Sequence, residues 1–280
     1  MKQLVKKALQ GVIGASVRLG SHSRAGRYVL DQIVSRVTAR TLDTEHQGLT
    51  FTLSCPNSLN YWRIATFSKK EPETLEWIDQ LPEGSVLWDI GANVGLYSIY
   101  AAKRKRCRVF SFEPSVFNLE ILAKNVWLNG LTDRVTLIPL PLSDQLGVNK
   151  LNMSSTDWGG ALSTFGKDFG HDGAPLNKLF EFQTLGITMQ DGVKTLAIPS
   201  PDYIKMDVDG IEHLILKGGA SVLAGVKQVL VEINDNFSEQ AEQAAALLSQ
   251  SGLVLKDKRH SEMIESGNFR STFNQIWHRR

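Results

Sequence analysis

Between residues 86 and 251 short apolar runs alternate with longer amphipathic ones, and this alternation restricts the fold more than any other feature of the chain. Residues 86–90, 108–112, 135–140, 203–208 and 228–233 read as strands. Residues 95–103, 115–129, 211–223 and 238–251 read as the helices between them. Strands joined by helices run parallel and need cover on both faces. Residues 253–258 and 272–278 read as two further strands, and their linker, 259–271, is charged, contains Gly267 and offers no helix. A hairpin is expected there, which makes the last of seven strands antiparallel. The chain is therefore expected to be α/β, with one mostly parallel sheet.

Two regions depart from the rhythm. Residues 48–67 alternate apolar and polar side chains around Pro56-Asn57-Ser58 and read as short strands. Residues 69–84 read as a helix, with Pro72 suited to its first turn and Pro82-Glu83-Gly84 ending it. Residues 145–200 are polar and glycine-rich, with a hairpin expected around 148–153, and they are placed to cover a pocket as a lid.

In open α/β sheets ligands bind beyond the carboxyl ends of the strands, where strand order reverses. The first strand is followed by Asp89, Gly91, Asn93 and Gly95. Gly91 permits unusual backbone torsions, and Gly95 allows close packing of the next helix. A dinucleotide fingerprint has glycine where Asn93 stands, and a pyrophosphate would be crowded by that side chain and repelled by Asp89. Asp89 suits a cationic ligand, such as an amino-acid ammonium or a sulfonium. Glu113, 22 residues after Gly91, follows the second strand, where an acid accepts hydrogen bonds from ribose hydroxyls. Asp144 follows the third strand, either accepting from an adenine amino group or serving as an ordinary turn residue. After the fourth strand stand Asp207, Asp209, Glu212 and His213, of which Asp207, His213 and Asp209 are candidates to take a proton from a hydroxyl. These carboxylates together with Glu232, Asn234 or Asp235 could alternatively hold a divalent metal; no metal is assigned.

The stretches VLWDIGANVGLYS, FSFEPSVFNLEILAKN, PLSD, DYIKMDVDGIEHLILKGG and VLVEIND, in that order, resemble the FkbM-type methyltransferase family. The resemblance covers roughly residues 71–279 and rests most specifically on IKMDVDG followed by EHLILKGG. It implies a Rossmann-like, seven-stranded class I methyltransferase sheet. It also implies an S-adenosylmethionine-dependent O-methyltransferase that acts by direct in-line transfer on a hydroxyl of a sugar, polyketide or other small-molecule or glycan acceptor. It sets Asp89, Gly91, Asn93 and Gly95 around the methionine part of the cofactor, Glu113 on the ribose, Asp144 near the adenine and Asp207 beside the reacting methyl. Family members often carry Glu where this chain has Asp209, one methylene longer. The rival readings are a nicotinamide oxidoreductase, which fits Glu113 but not Asp89 and Asn93, and an inactive nucleoside-binding scaffold. A nucleic-acid methyltransferase is a third, but the Asn-Pro-Pro-aromatic signature of amino-group transfer to bases does not occur.

Residues 1–45 lie outside the resemblance and are expected to form a basic helical extension to a methyltransferase domain spanning 46–280. Residues 1–40 hold eight Lys and Arg against one acid, whereas the remaining 240 residues carry 23 basic and 28 acidic groups. A net charge of +2 for the whole chain gives no reason to expect a nucleic-acid partner. The arm reads as a solvated helical extension, or alternatively as an amphipathic helix making weak contact with a membrane surface or a protein. Its apolar run is too short, and ends too abruptly at Arg18, for a secretory signal. Two cysteines, Cys55 and Cys107, give no disulfide framework and suggest a cytoplasmic setting.

Overall fold

The computed structural model describes residues 2–260, 263 and 269–280. The chain opens with two exposed helices, α1 (Lys2–Ser21) and α2 (Arg24–Thr38), with Ser23 between them accepting the Gly26 N–H to cap α2. Strands β1 (Thr41–His46) and β2 (Leu49–Ser54) form an antiparallel ribbon. The extension expected to end at residue 45 thus has its helical part end at Thr38, with residue 45 inside β1. The strand reading of 48–67 holds only as far as Ser54. Asn57 then caps a helix by accepting the Asn60 N–H, and α3 (Ser58–Ala65) and α4 (Phe67–Lys70) follow. Capping won over the alternating pattern because an Asn side chain satisfies a free N–H of the first turn. Helix α5 (Pro72–Asp79) begins with proline, as expected.

The central sheet then grows from its middle. Strand β3 (Val86–Ile90) leads through α6 (Leu96–Lys105) to β4 (Arg108–Phe112), and through α7 (Val116–Leu128) to β5 (Val135–Ile138). An insertion follows, in which β6 (Gly147–Met153), β7 (Ser163–Phe165) and β8 (Phe180–Gly186) make a separate antiparallel sheet, before α8 (Met189–Lys194). The hairpin expected near 148–153 is thus one part of a three-stranded unit. The chain returns to the other side of β3 with β9 (Tyr203–Met206). One helix is expected after it, but two are found, α9 (Glu212–Lys217) and α10 (Ala220–Leu223). The break lies at Gly218 and Gly219, where a Cβ would come within 2.4 Å of the Ser143 carbonyl and 2.4 Å of the Met189 sulfur. Strand β10 (Gln228–Asn234), α11 (Ser238–Gln250), β11 (Leu253–Arg259) and β12 (Thr272–Arg279) complete the chain.

The sheet order is β11-β12-β10-β9-β3-β4-β5, parallel except where β12 runs antiparallel to both of its neighbours. This is the expected seven-stranded α/β architecture. Most of the linker between the last two strands lies outside the described residues, but the antiparallel pairing it was expected to allow is present. Strand order reverses between β3 and β9.

Strand periodicity assigns side chains to two cores. Leu87, Val109, Tyr203 and Leu230 pack beneath α5, α6 and α7; Trp88, Ile90, Ile204, Met206 and Val231 pack beneath α9, α11 and the insertion. Among the described residues no helix is long and apolar enough to cross a membrane.

Candidate active site

At the reversal point a cleft partly open to solvent is bounded by Ile90, Gly91, Asn93, Glu113, Asp207 and Asp209, with an apolar wall of Phe112, Leu140, Leu142, Ile211 and Ile215. Gly91 has φ of 82°, and a Cβ there would lie 1.8 Å from the Asp207 carbonyl oxygen. Only glycine lets the two strand ends meet so closely.

Glu113 is buried at the mouth of β4. Its Oε2 accepts the Asn93 N–H at 2.8 Å and its Oε1 the Ser115 N–H at 2.8 Å. Burial pushes its carboxyl up to about 7, against the opposing pull of these backbone donors. Asn93, in a left-handed conformation at φ 50°, gives its side-chain amide to the Gly160 carbonyl at 2.8 Å. Asn118 donates to the same carbonyl at 3.0 Å and accepts the Gly159 N–H. The asparagine that reads in the sequence as an obstacle to pyrophosphate therefore also fastens the insertion. Gly160, Ala161, Ser163 and Phe165 of the insertion line the cleft.

Asp207 lines the cleft just past β9. Asp209 lines it too, at φ 62°, and its Oδ2 accepts the N–H groups of Leu162 at 2.7 Å and Ser163 at 3.2 Å. Burial, then repulsion from Asp207, pushes the Asp209 carboxyl up to about 6. The turn from Asp207 to Gly210 is shaped by buried Glu212, which accepts from Val208 N and Gly210 N and is held in turn by Gln240. Burial pushes Glu212 up to about 7.

Asp89, Gly95, Asp144 and His213 do not line this cleft. Asp89 lies in register with Lys205 on β9 and Ser111 on β4, facing the α5–α7 side. One carboxylate oxygen accepts from Ser98 Oγ at 2.5 Å, and the other sits 3.6 Å from Lys205 Nζ. Gly95 lies at the start of α6, where a Cβ would come within 2.2 Å of Leu122, so it serves helix packing. Asp144 pairs with Lys217 at 3.2 Å and borders a neighbouring cavity with Gln145 and Lys167. His213 is buried edge-on to Phe237 at 5.9 Å; its Nδ1 has no hydrogen-bond partner, and burial lowers its pKa. Among the described residues no three His, Cys, Asp or Glu side chains gather as a metal-binding group.

Sequence reasoning missed Lys205. It is buried, its ammonium lies 3.5 Å from Asp207 Oδ2 and 3.6 Å from Asp89 Oδ1, and it stands over the Tyr97 ring at 5.2 Å. Although burial disfavours its charge, Asp207, Asp89 and Glu71 raise its pKa above the ordinary lysine value. The available signal was parity: Lys205 lies on β9 two residues after Tyr203, opposite Asp89 in register, and so shares the face of Asp89. Glu71, buried beside Lys70, is held below the usual carboxylate range by Lys70 and Lys205 despite its burial. Changing Lys205 to Met leaves Asp89 buried without its counter-charge. The expected loss is about 3–5 kcal/mol of unfolding free energy, measured by chemical denaturation. Unchanged stability would show that the Asp89–Lys205–Asp207 row is not an energetic unit.

A methyltransferase FkbM domain model matches residues 89–265, well over half the chain. The chain belongs to the FkbM methyltransferase family. The domain is thus of the S-adenosylmethionine-dependent methyltransferase class. Among its relatives is the hexuronic acid methyltransferase AglP of Haloferax volcanii, 27% identical over 183 residues, covering 62% of this chain and 66% of that protein. The chain is also 22% identical over 201 residues to the 31-O-demethyl-FK506 methyltransferase FkbM of Streptomyces tacrolimicus, covering 64% of this chain and 76% of that one. Of solved structures, TYW2 of M. jannaschii in complex with AdoMet covers 86% of this chain and 87% of its own, with 13% identity and a TM-score of 0.43.

The FkbM-family cleft fits its cofactor on its own residues. It joins an apolar wall, suited to a purine, to a buried carboxylate with a closely approached glycine backbone beside it. If Glu113 holds the ribose diol, as proposed below, it does so as the carboxylate, and its pKa in the fold is about 7 against 4.5 ordinarily. Affinity for S-adenosylmethionine is therefore expected to fall about tenfold per pH unit below about 7 and to level off above it. Calorimetric titration from about pH 5.5 to 8.5 measures this; a flat profile would remove Glu113 from the binding site.

Proposed function

We propose that the protein is an S-adenosylmethionine-dependent O-methyltransferase acting on a hydroxyl of a sugar or other small-molecule or glycan acceptor. The observation that carries the reading is the placement of Glu113 and Asp207 on one cleft at the strand-order reversal, with Gly91 between them. S-adenosylmethionine, when bound, supplies an electrophilic methyl group on its sulfonium. Glu113 would hold the ribose, the apolar wall of Phe112, Leu142 and Ile215 the adenine, and the Gly91 backbone the methionine end.

Asp207 takes the proton of the acceptor hydroxyl. Of the three candidate bases it alone lines the cleft without accepting from backbone N–H groups, as Asp209 does, or packing away from the cleft, as His213 does. Lys205 orients Asp207 from behind through Oδ2. Asp89 acts through Lys205, as a positioning residue. Holding donor and acceptor in line is worth up to about 7–11 kcal/mol in ideal cases, so alignment carries most of the rate enhancement.

The insertion serves as a lid that excludes water. Asn93, Asn118 and Asp209 hold it over the cleft, and Asn57, Asn60 and Arg63 bind its Trp158 and Gly159 carbonyls from the other side. The acceptor class is supported by the names of the relatives, one a methylase of hexuronic acid and one of a demethylated FK506. Two buried, free cysteines support a reducing, cytoplasmic setting. The test is label transfer from S-adenosylmethionine to a panel of hexuronic acids, other glycans, polyhydroxylated macrolides and RNA. Label on a hydroxyl of one of the first three is the expected result. Label on RNA alone would reject the acceptor class.

A further inference from the structure

The two N-terminal helices form a basic, apolar-faced unit that the catalytic reading does not use. On α1, Val5, Leu9 and Val12 follow one another at helical spacing with about 60% of each side chain exposed, and Ile13 and Leu19 are exposed beside them. On α2, Val29, Ile33 and Val34 are exposed, and no residue of that helix is buried. The hairpin itself is well defined. Gly20 and Gly26 approach so closely that a Cβ on Gly26 would come within 2.1 Å of the Gly20 carbonyl oxygen, and Arg27 donates to the Ser21 carbonyl at 3.0 Å.

Two features point to a surface for this unit. Helix α1 carries Gly11 and Gly14 in its interior, with nothing within 4 Å of either Cβ position. Each such glycine weakens a helix by about 1 kcal/mol relative to alanine, and a helix in water is held mainly by burial of its apolar face. That face is open here along both helices. The charge of the first 40 residues, eight basic against one acidic, then selects the surface. A second copy of the arm would bring like charge against like. An anionic bilayer offers opposite charge for the Lys and Arg residues and an apolar layer for the aliphatic ones.

We propose that α1 and α2 lie in the headgroup region of an anionic phospholipid membrane, docking the methyltransferase domain at the bilayer surface without crossing it. Val5, Leu9, Val12, Val29 and Ile33 enter the acyl boundary, and Lys6, Lys7, Arg18, Arg24, Arg27 and Arg36 meet lipid phosphates. The contact is independent of the catalytic reading, because none of these residues touches the cleft.

The test is co-sedimentation of the full chain with vesicles of phosphatidylcholine alone and of phosphatidylcholine with phosphatidylglycerol. Binding to the anionic vesicles is expected to be at least about tenfold tighter than to the neutral ones, and to weaken in about 0.5 M salt. The triple change Lys6→Glu, Lys7→Glu, Arg27→Glu, and separately Val12→Asp with Ile33→Asp, are each expected to weaken it by about tenfold or more. S-adenosylmethionine affinity, read by calorimetry on the same samples, is expected to stay unchanged and so reports an intact domain. Equal partition to both vesicle types, or no partition to either, would overturn the proposal. So would a dimer in light scattering that the same changes dissolve while vesicle binding is absent, since the face would then serve a second copy.

Discussion

Changing Asp207 to Asn is expected to lower kcat by about 10²–10⁴-fold, the usual contribution of a positioned proton acceptor, while S-adenosylmethionine affinity moves by less than about threefold. The substitution keeps the shape of the side chain and its place on the cleft but removes the site for the hydroxyl proton. It also removes one of the two carboxylates within ion-pair distance of Lys205, whose ammonium lies 3.5 Å from Asp207 and 3.6 Å from Asp89. Asp89 still compensates Lys205, so the protein is expected to fold, and a thermal melt beside the kinetics checks this. Equal losses in affinity and turnover would make Asp207 a cofactor ligand. Normal turnover would remove it as the base and return Asp209 to consideration.

Replacing Glu113 with Gln is expected to act on the other half of the cleft, raising the Kd for S-adenosylmethionine by about a hundredfold and leaving kcat at saturating cofactor nearly unchanged. A hydrogen bond to an ionised group is worth about 1.5–3 kcal/mol, and a ribose diol makes two. The carboxylate also accepts the N–H groups of Asn93 and Ser115, so part of the loss comes from loosening the turn after β3. The neutral amide removes the ionisation as well, so the pH dependence of affinity expected of the native protein should vanish in this variant. An affinity equal to that of the native chain at neutral pH would show that the nucleoside lies elsewhere.

The sheet was legible in the sequence because parallel strands buried on both faces must read as continuous apolar runs, and helices must separate them. That Glu113, Asp207, Gly91 and Asn93 line one cleft was legible because the fold class sends ligands to the strand ends. What stayed hidden was sidedness. Asp89 stands at a strand end like the others, yet its parity with Leu87 turns it to the α5–α7 face, where Lys205 and Ser98 take up its oxygens. Strand parity alone would have paired Asp89 with Lys205 once the β3–β9 register was known, and register is a long-range property that no local pattern carries. His213 was hidden for a similar reason: its helix turns it onto Phe237 rather than toward the cleft. The stretch after Ser54 misled because an Asn cap and an alternating pattern compete over so few residues, and the cap prevailed.

The contest between a sulfonium cofactor and a nicotinamide dinucleotide is decided by binding alone, before any acceptor is known. Titrating the purified full chain with S-adenosylmethionine and, separately, with NADH in a calorimeter at about pH 8, where Glu113 is ionised, tests the account most directly. Saturable binding of S-adenosylmethionine at one site per chain, with no heat from NADH, is the result it predicts. Preferential binding of NADH would contradict it.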